Sequence, residues 1–213
     1  MESSRPLEKL LNQLGQPEFA QFWHHVRLLP EDKKSHLIRA FSAGQIESKL
    51  WLVDTLNGVV PRQPYNICIV AGWVGVLAPL LWWRAPHLIR RLVLVDNDPE
   101  ALEIAKVLHA ELIAEKKLEL IEADATKFGY DFNFNLIINT ACEHFSDSQW
   151  YDNIPAGRLL VIQSTNAEQP DHIRTVTSAQ QLHEQYPMNL SLYSGWRLIK
   201  IRKDKRYMRI GCK

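Results

Sequence analysis

With 213 residues the chain has room for one α/β domain and a modest appendage, because cores of about 100 to 200 residues are the usual unit. A composition of 46% hydrophobic and 23% charged residues is that of an ordinary globular protein and excludes a disordered or fibrous chain. The formal net charge of +1 lacks the basic excess with which nucleic-acid binders displace phosphate counterions, so nucleic acid is not the expected partner.

From residue 6 to residue 56 apolar side chains recur at helical spacing: Leu7, Leu10, Leu11 and Leu14, then Phe19, Phe22, Trp23 and Val26, then Leu37, Ile38 and Phe41, then Leu50, Leu52, Val53 and Leu56. Three or four short helices are predicted, with breaks at 15–17, 29–30 and 42–44. The loop 57–64, with one Gly and two Pro, divides a small N-terminal helical cover (1–60) from a second unit (61–213). In that unit, short β-rich runs at 66–71, 92–96, 118–122, 135–139 and 158–163 alternate with helical intervals at 76–83, 99–115 and 147–151, and a further helix follows at 179–185. This alternation is the signature of βαβ units. Two last runs, 190–201 and 206–212, flank the turn 202–205 and predict an antiparallel hairpin at one edge of the sheet. The expected fold is therefore α/β, a Rossmann-like, mainly parallel seven-stranded sheet closed by a C-terminal hairpin.

The three cysteines, Cys68, Cys142 and Cys212, are widely separated and form no C-x-x-C pair, so neither a disulfide framework nor a zinc site is expected. Isolated histidines such as His24, His25 and His144 lack ligand spacing, and no metal site is expected from them either. The N-terminus shows no apolar signal segment, and the longest apolar run (73–83) contains Pro79 and is too short to span a bilayer. A cytoplasmic protein without a membrane partner is expected; the oligomeric state is left open.

Chemistry-bearing residues fall at the ends of the predicted strands. The first run leads into Ala71-Gly72-Trp73-Val74-Gly75, a glycine-rich turn that lets backbone approach a ligand closely, though it lacks a full G-x-G-x-x-G pattern and is equally readable as a structural turn. The second ends in Val95-Asp96-Asn97-Asp98-Pro99, where Asp96 is placed to accept both hydroxyls of a ribose and Asp98 to cap the helix opening at Pro99. The third ends in Glu122-Ala123-Asp124-Ala125-Thr126, where Asp124 and the Ala125 amide suit a base with an exocyclic amine. The fourth ends in Asn139-Thr140-Ala141-Cys142-Glu143-His144, polar groups at the carboxyl edge where open α/β sheets bind ligands.

On these four strand ends and the closing hairpin, the chain from about residue 65 onward resembles the class I S-adenosylmethionine (SAM)-dependent methyltransferase superfamily. The resemblance implies that SAM is the cofactor or sole substrate, with Ala71, Gly72, Trp73 and Gly75 around its methionine part. It also implies Asp96 with Asn97 at the ribose, Asp124 and Ala125 at the adenine, and Asn139 with Thr140 near the reacting end. Two departures stand out: Trp73 occupies a loop position that is commonly small, and the fourth strand end is not the D/N-P-P-[YF] string of enzymes that methylate nucleobase or glutamine amino groups. In the segment 44–52, Gln45 and Lys49 would bind the SAM carboxylate if the cover folds over it, or else form an exposed polar face.

Asn139, His144 and Phe134 are the candidate catalytic residues: Asn139 to accept from a nucleophile, His144 as proton acceptor, Phe134, with Trp73, to offer a ring face to the sulfonium. The C-terminal charges Arg197, Lys200, Arg202, Lys203, Lys205, Arg206 and Arg209 read as a solvated hairpin edge. Two reactions compete. The favoured one is cyclisation of SAM to azetidine-2-carboxylate with release of methylthioadenosine, as in the azetidine-2-carboxylate synthases, because an intramolecular displacement needs no acceptor site. The other is methyl transfer to a small molecule, giving S-adenosylhomocysteine; a non-catalytic SAM-binding module is a third reading.

Overall fold

A computed structural model describes residues 25, 26, 28–131, 133–199 and 204–213, so the helices expected before residue 25 lie outside the described residues. Two helices come first, α1 (Glu31–Ala40) and α2 (Ala43–Val59), broken at the expected Ser42. There follow β1 (Tyr65–Val70), α3 (Leu77–Arg84), β2 (Ile89–Asp96), α4 (Pro99–Leu108), α5 (Ala110–Ala114), β3 (Glu119–Glu122), β4 (Leu136–Asn139), a 3-10 turn (Cys142–His144), α6 (Gln149–Asp152), β5 (Leu159–Thr165), α7 (Ala179–Gln185), β6 (Leu190–Ile199) and β7 (Asp204–Cys212). The Asp-Pro start of α4 is realised as expected: Asp98 Oδ1 accepts from the amides of Glu100 at 2.9 Å and Ala101 at 3.2 Å, while Pro99 has no amide to satisfy. The single helix expected over 99–115 is two, because the chain leaves helical geometry at His109.

The seven strands form one sheet in the order β3-β2-β1-β4-β5-β7-β6, parallel through β5 and antiparallel at β7 and β6. This is the expected Rossmann-like α/β architecture with its closing hairpin. One detail of the hairpin differs. Strand β7 is threaded between β5 and β6, so of the two hairpin strands β6 alone lies at an edge, and Arg206 and Arg209 on β7 are buried rather than solvated.

Successive residues of a strand face opposite sides of a sheet, and here the alternation sorts the core into two layers. Ile67, Ile69, Leu92, Leu94, Leu136 and Ile138 point to one side and pack with Leu52, Val53 and Leu56 of α2 and Leu77, Leu80 and Leu81 of α3. Cys68, Val70, Val93, Val95, Ile137 and Ile162 point to the other and pack with Trp150, Leu182 and Tyr186. Being covered on both faces, the inner parallel strands β1, β2, β4 and β5 carry apolar stretches in which both alternating sets of side chains are buried. Helix α2 thus shares a core with the sheet, and the loop 60–64 is the link into β1. Among the described residues no helix is long and apolar enough to cross a membrane.

Candidate functional site

The strand order reverses between β1 and β4, the place where open α/β sheets leave a crevice at their carboxyl ends. Val70 pairs there with Asn139, and Val70 pairs on its other side with Val95, the residue before Asp96. The glycine turn leaving β1 is wound left-handed: Ala71 has φ 50°, Trp73 φ 49° and Gly75 φ 77°. Left-handed backbone at two non-glycine residues costs of order 1 kcal/mol each and persists only where the surroundings hold it. Here Asp96 holds it, Oδ2 accepting from the Trp73 amide at 2.6 Å and Oδ1 from the Asp98 amide at 3.0 Å. Burial raises the Asp96 carboxyl above its ordinary range, and these amide bonds oppose that rise. Each oxygen keeps a lone pair, so the residue predicted to meet a ribose first serves as a clasp between two strand ends.

The glycines themselves face inward. A Cβ on Gly72 would lie 2.6 Å from Leu94 Cγ, and one on Gly75 would lie 2.8 Å from His109 Nε2. Close packing below the loop, together with the positive φ at Gly75, explains them without a ligand. His109 supports the same turn: Nε2 donates to the Val74 carbonyl at 2.9 Å, and burial pushes the imidazole down to about 4 despite that bond.

After β3 the chain turns back to Asp96, whose carbonyl accepts from the Ala123 amide at 2.9 Å, so Ala123, Asp124 and Ala125 adjoin the second strand end as expected. Asp124 Oδ1 accepts from the Thr126 hydroxyl at 2.7 Å and amide at 2.9 Å, and Lys127 lies 3.0 Å from Oδ2. These partners hold the carboxyl down to about 2 and leave it ionised. Asn97 is exposed beside them.

Asn139 is fully buried, and its Oδ1 accepts from the Ala141 amide at 2.8 Å. Its Nδ2 has no partner among the described residues. The Asn139 side chain thus offers an unpartnered donor at Nδ2 together with the second lone pair of the Oδ1 that Ala141 engages. Ser164 Oγ is likewise buried and without a partner among the described residues.

Above β4 and β5 lies a charged cluster. Arg206 on β7, paired in register with Thr165, donates Nη1 to Glu143 Oε1 and Nη2 to the Thr140 carbonyl. Both Arg206 and Glu143 are buried. Lys49 on α2 donates to Gln45 Oε1 at 2.6 Å, one helical turn away. Burial, then the Arg206 charge, push the Lys49 ammonium down to about 7, with Glu143 pulling it partly back. Helix α2 is fixed over this point by Ser48, whose hydroxyl donates to Gln163 Oε1 at 3.0 Å, while Gln163 Nε2 donates to the Ser48 carbonyl at 3.2 Å. Glu143, Gln163 and Arg206 were not among the expected site residues. Arg206 stands in the mostly apolar run Arg206-Tyr207-Met208-Arg209-Ile210, the one local hint that its strand is interior.

Two expected residues, Phe134 and His144, lie apart from the turn, and the ring of a third, Trp73, is engaged by α1. Phe134 lies before β4, beside Asn135, which bonds to Asn66 at the amino end of β1; five residues at 3.3 Å each put it about 16 Å along the chain from Asn139. It packs on Phe128 and under Arg91, at the opposite edge of the sheet from the crevice. His144 is exposed on the 3-10 turn and bonded to the Asp171 carbonyl, facing the 166–173 loop. The Trp73 ring packs 6.0 Å from His36 of α1, a contact with the helical cover.

No family model matches the chain, and no curated protein matches it. Solved structures do. The N-methyltransferase NodS from Bradyrhizobium japonicum WM9 aligns with a TM-score of 0.62 at 14% identity, over 82% of this chain and 98% of that one. This chain has the methyltransferase fold. A SAM-dependent methyltransferase from Aquifex aeolicus aligns at 0.60 and 12% identity, over 83% and 97% of the two chains. Magnesium protoporphyrin IX methyltransferase (ChlM) from Synechocystis PCC 6803, solved with bound SAM, aligns at 0.59 and 10% identity over 96% and 97%, so its methyltransferase fold extends over α1 and α2 as well.

Proposed function

We propose that the chain is a SAM-dependent enzyme that transfers a methyl group to a small-molecule acceptor, releasing S-adenosylhomocysteine. The observation that supports this best is the juxtaposition of the clasped turn at Ala71, Trp73 and Gly75 with the buried, unpartnered donor of Asn139 across the β1–β4 crevice. The residues present fit SAM by chemistry. Asp96 has lone pairs for ribose hydroxyls, Asp124 and Ala125 border an adenine, and Lys49 with Gln45 suits a carboxylate. Arg206 adds a buried cation beside the half-buried Lys49, and the Glu143 carboxylate acts on both. SAM would supply an activated methyl on sulfur. The protein's share is to orient an acceptor through Asn139 Nδ2 and to keep water out beneath α2. NodS and ChlM are named as methyltransferases, which accords with this reading.

A second reading is the expected cyclisation of SAM to azetidine-2-carboxylate. One observation favours it: a surplus buried cation would anchor the carboxylate of a folded methionine chain. It ranks second because the Asn139 carbonyl that would accept from an amine is already shared with the Ala141 amide, and Phe134 lies at the amino end of β4. Incubating the protein with SAM alone and analysing products by mass spectrometry separates the two. Unchanged SAM, turning to S-adenosylhomocysteine when small acceptors are added, is the expected result; methylthioadenosine with azetidine-2-carboxylate would transfer the assignment to cyclisation.

A further inference from the structure

We propose that Glu143, His144 and His172 form a binding site for a borderline divalent cation of the zinc class. The inference shares Glu143 with the reading of SAM use but does not depend on it, and its test reads metal binding alone. One ligand atom from each residue lies within 4.8 Å of the other two. The rings are oriented before any ion arrives: His144 Nδ1 donates to the Asp171 carbonyl at 2.8 Å and His172 Nδ1 to the Ala167 carbonyl at 2.7 Å. A carbonyl can only accept, so each neutral imidazole carries its proton on Nδ1 and keeps a bare lone pair on Nε2. That is the tautomer and the backbone support that metal-bound histidines show. The two rings meet edge to face with centroids 5.0 Å apart.

The third donor is a buried carboxylate with one oxygen to spare. Glu143 is 3% exposed; Arg206 engages Oε1, and Oε2 has no partner among the described residues. A buried carboxylate oxygen without a partner is costly, and a cation shared with two imidazoles would satisfy it. The backbone is already tied together, since the Glu143 carbonyl accepts from the amides of Ile173 at 2.8 Å and Arg174 at 3.0 Å, holding the His172 loop against the 3-10 turn. Two imidazoles and a carboxylate are a donor set suited to zinc and its neighbours, and the exposed side of His144 leaves a further position open. The Arg206 charge on the other oxygen weakens the carboxylate as a ligand, so affinity is expected below that of the same three ligands without it. Sequence spacing conceals the site because His172 comes from a separate loop and Glu143 adjoins His144.

The test uses the full chain stripped with a chelator and dialysed, titrated with Zn2+ by calorimetry and with Co2+ by visible absorption. One equivalent and ligand-field bands from Co2+ are expected. His172→Ala and His144→Ala should each weaken binding by at least about tenfold, since even loss of an outer partner costs that much, and the double variant should abolish it. Glu143→Gln should act alike, but it also disturbs the Arg206 pair, so the histidine variants, checked for unchanged circular dichroism, decide. Absence of binding to the wild-type chain, or binding that survives the double histidine variant, would overturn the proposal.

Discussion

At Asn139 a single hydrogen bond sets what the site can do. The Ala141 amide takes one lone pair of the Asn139 carbonyl and fixes the side chain, so that Nδ2 is left as a buried donor without a partner among the described residues. Asp96 is committed differently, since its two oxygens already hold the turn and the next helix start while lone pairs remain for a ligand. The two residues should therefore fail in different ways. Asp96→Ala should loosen SAM binding by more than about tenfold, the loss of a charge-assisted bond of roughly 1.5 to 3 kcal/mol. Asn139→Ala should leave SAM binding within a few-fold and lower kcat. Equilibrium dialysis against labelled SAM and a single-turnover assay separate these outcomes, and unchanged values for both variants would refute the placement. Asp96, Asp98 and Asn139 were legible in the sequence because each sits at a strand end marked by its neighbours. Arg206 was not, because the burial of an arginine depends on which strands flank it, and the apolar neighbours in 206–210 only hint at that.

Among the elements, α4 and α5 show what periodicity misses. Apolar spacing runs on through residues 99–115, yet the helix is interrupted at His109, whose ring turns down to support Val74. The partner lies 35 residues away in the chain, so only the folded structure reveals the break. That support is pH-sensitive in a calculable direction. The unfolded histidine takes up a proton near 6.5 and the folded one only near about 4, so the unfolded state binds more protons in between. Stability from this residue is complete above about pH 7 and falls as pH drops from 6.5 towards 4, by roughly 2 to 3 kcal/mol at 1.36 kcal/mol per pH unit. Urea unfolding of wild type and His109→Gln at pH 7.5 and 4.5 tests it: the variant should be less stable at 7.5 and show a shallower loss towards 4.5. Parallel losses in the two proteins would exclude His109 as the cause. Strand identity was easier to read than helix continuity, since the parallel strands declare themselves as short, largely apolar runs between turn residues, and all five were located to within about three residues at each end.

For the molecule as a whole, the two core layers meet across a sheet whose fifth strand is tied to α2 through the Ser48–Gln163 pair. A ligand bridging the strand ends beneath that helix would couple all of them, so binding should register as global stability. At a hundredfold excess over Kd, SAM or S-adenosylhomocysteine should stabilise the native state by about 2.7 kcal/mol and raise Tm by several degrees. Thermal unfolding with and without either compound is the check; no shift at millimolar concentration would count against the crevice as their site.

The threading of β7 between β5 and β6 also bears on how the chain is made. A ribosome delivers β5 well before the strand that flanks it, with α7 and β6 emerging in between. Until residues 204–212 leave the exit tunnel, the strand Leu159–Thr165 has one open ladder and β6 has no strand to pair with. The nascent protein therefore carries an unpaired, hydrophobic edge through late translation, the interval in which chaperone capture competes with misassociation.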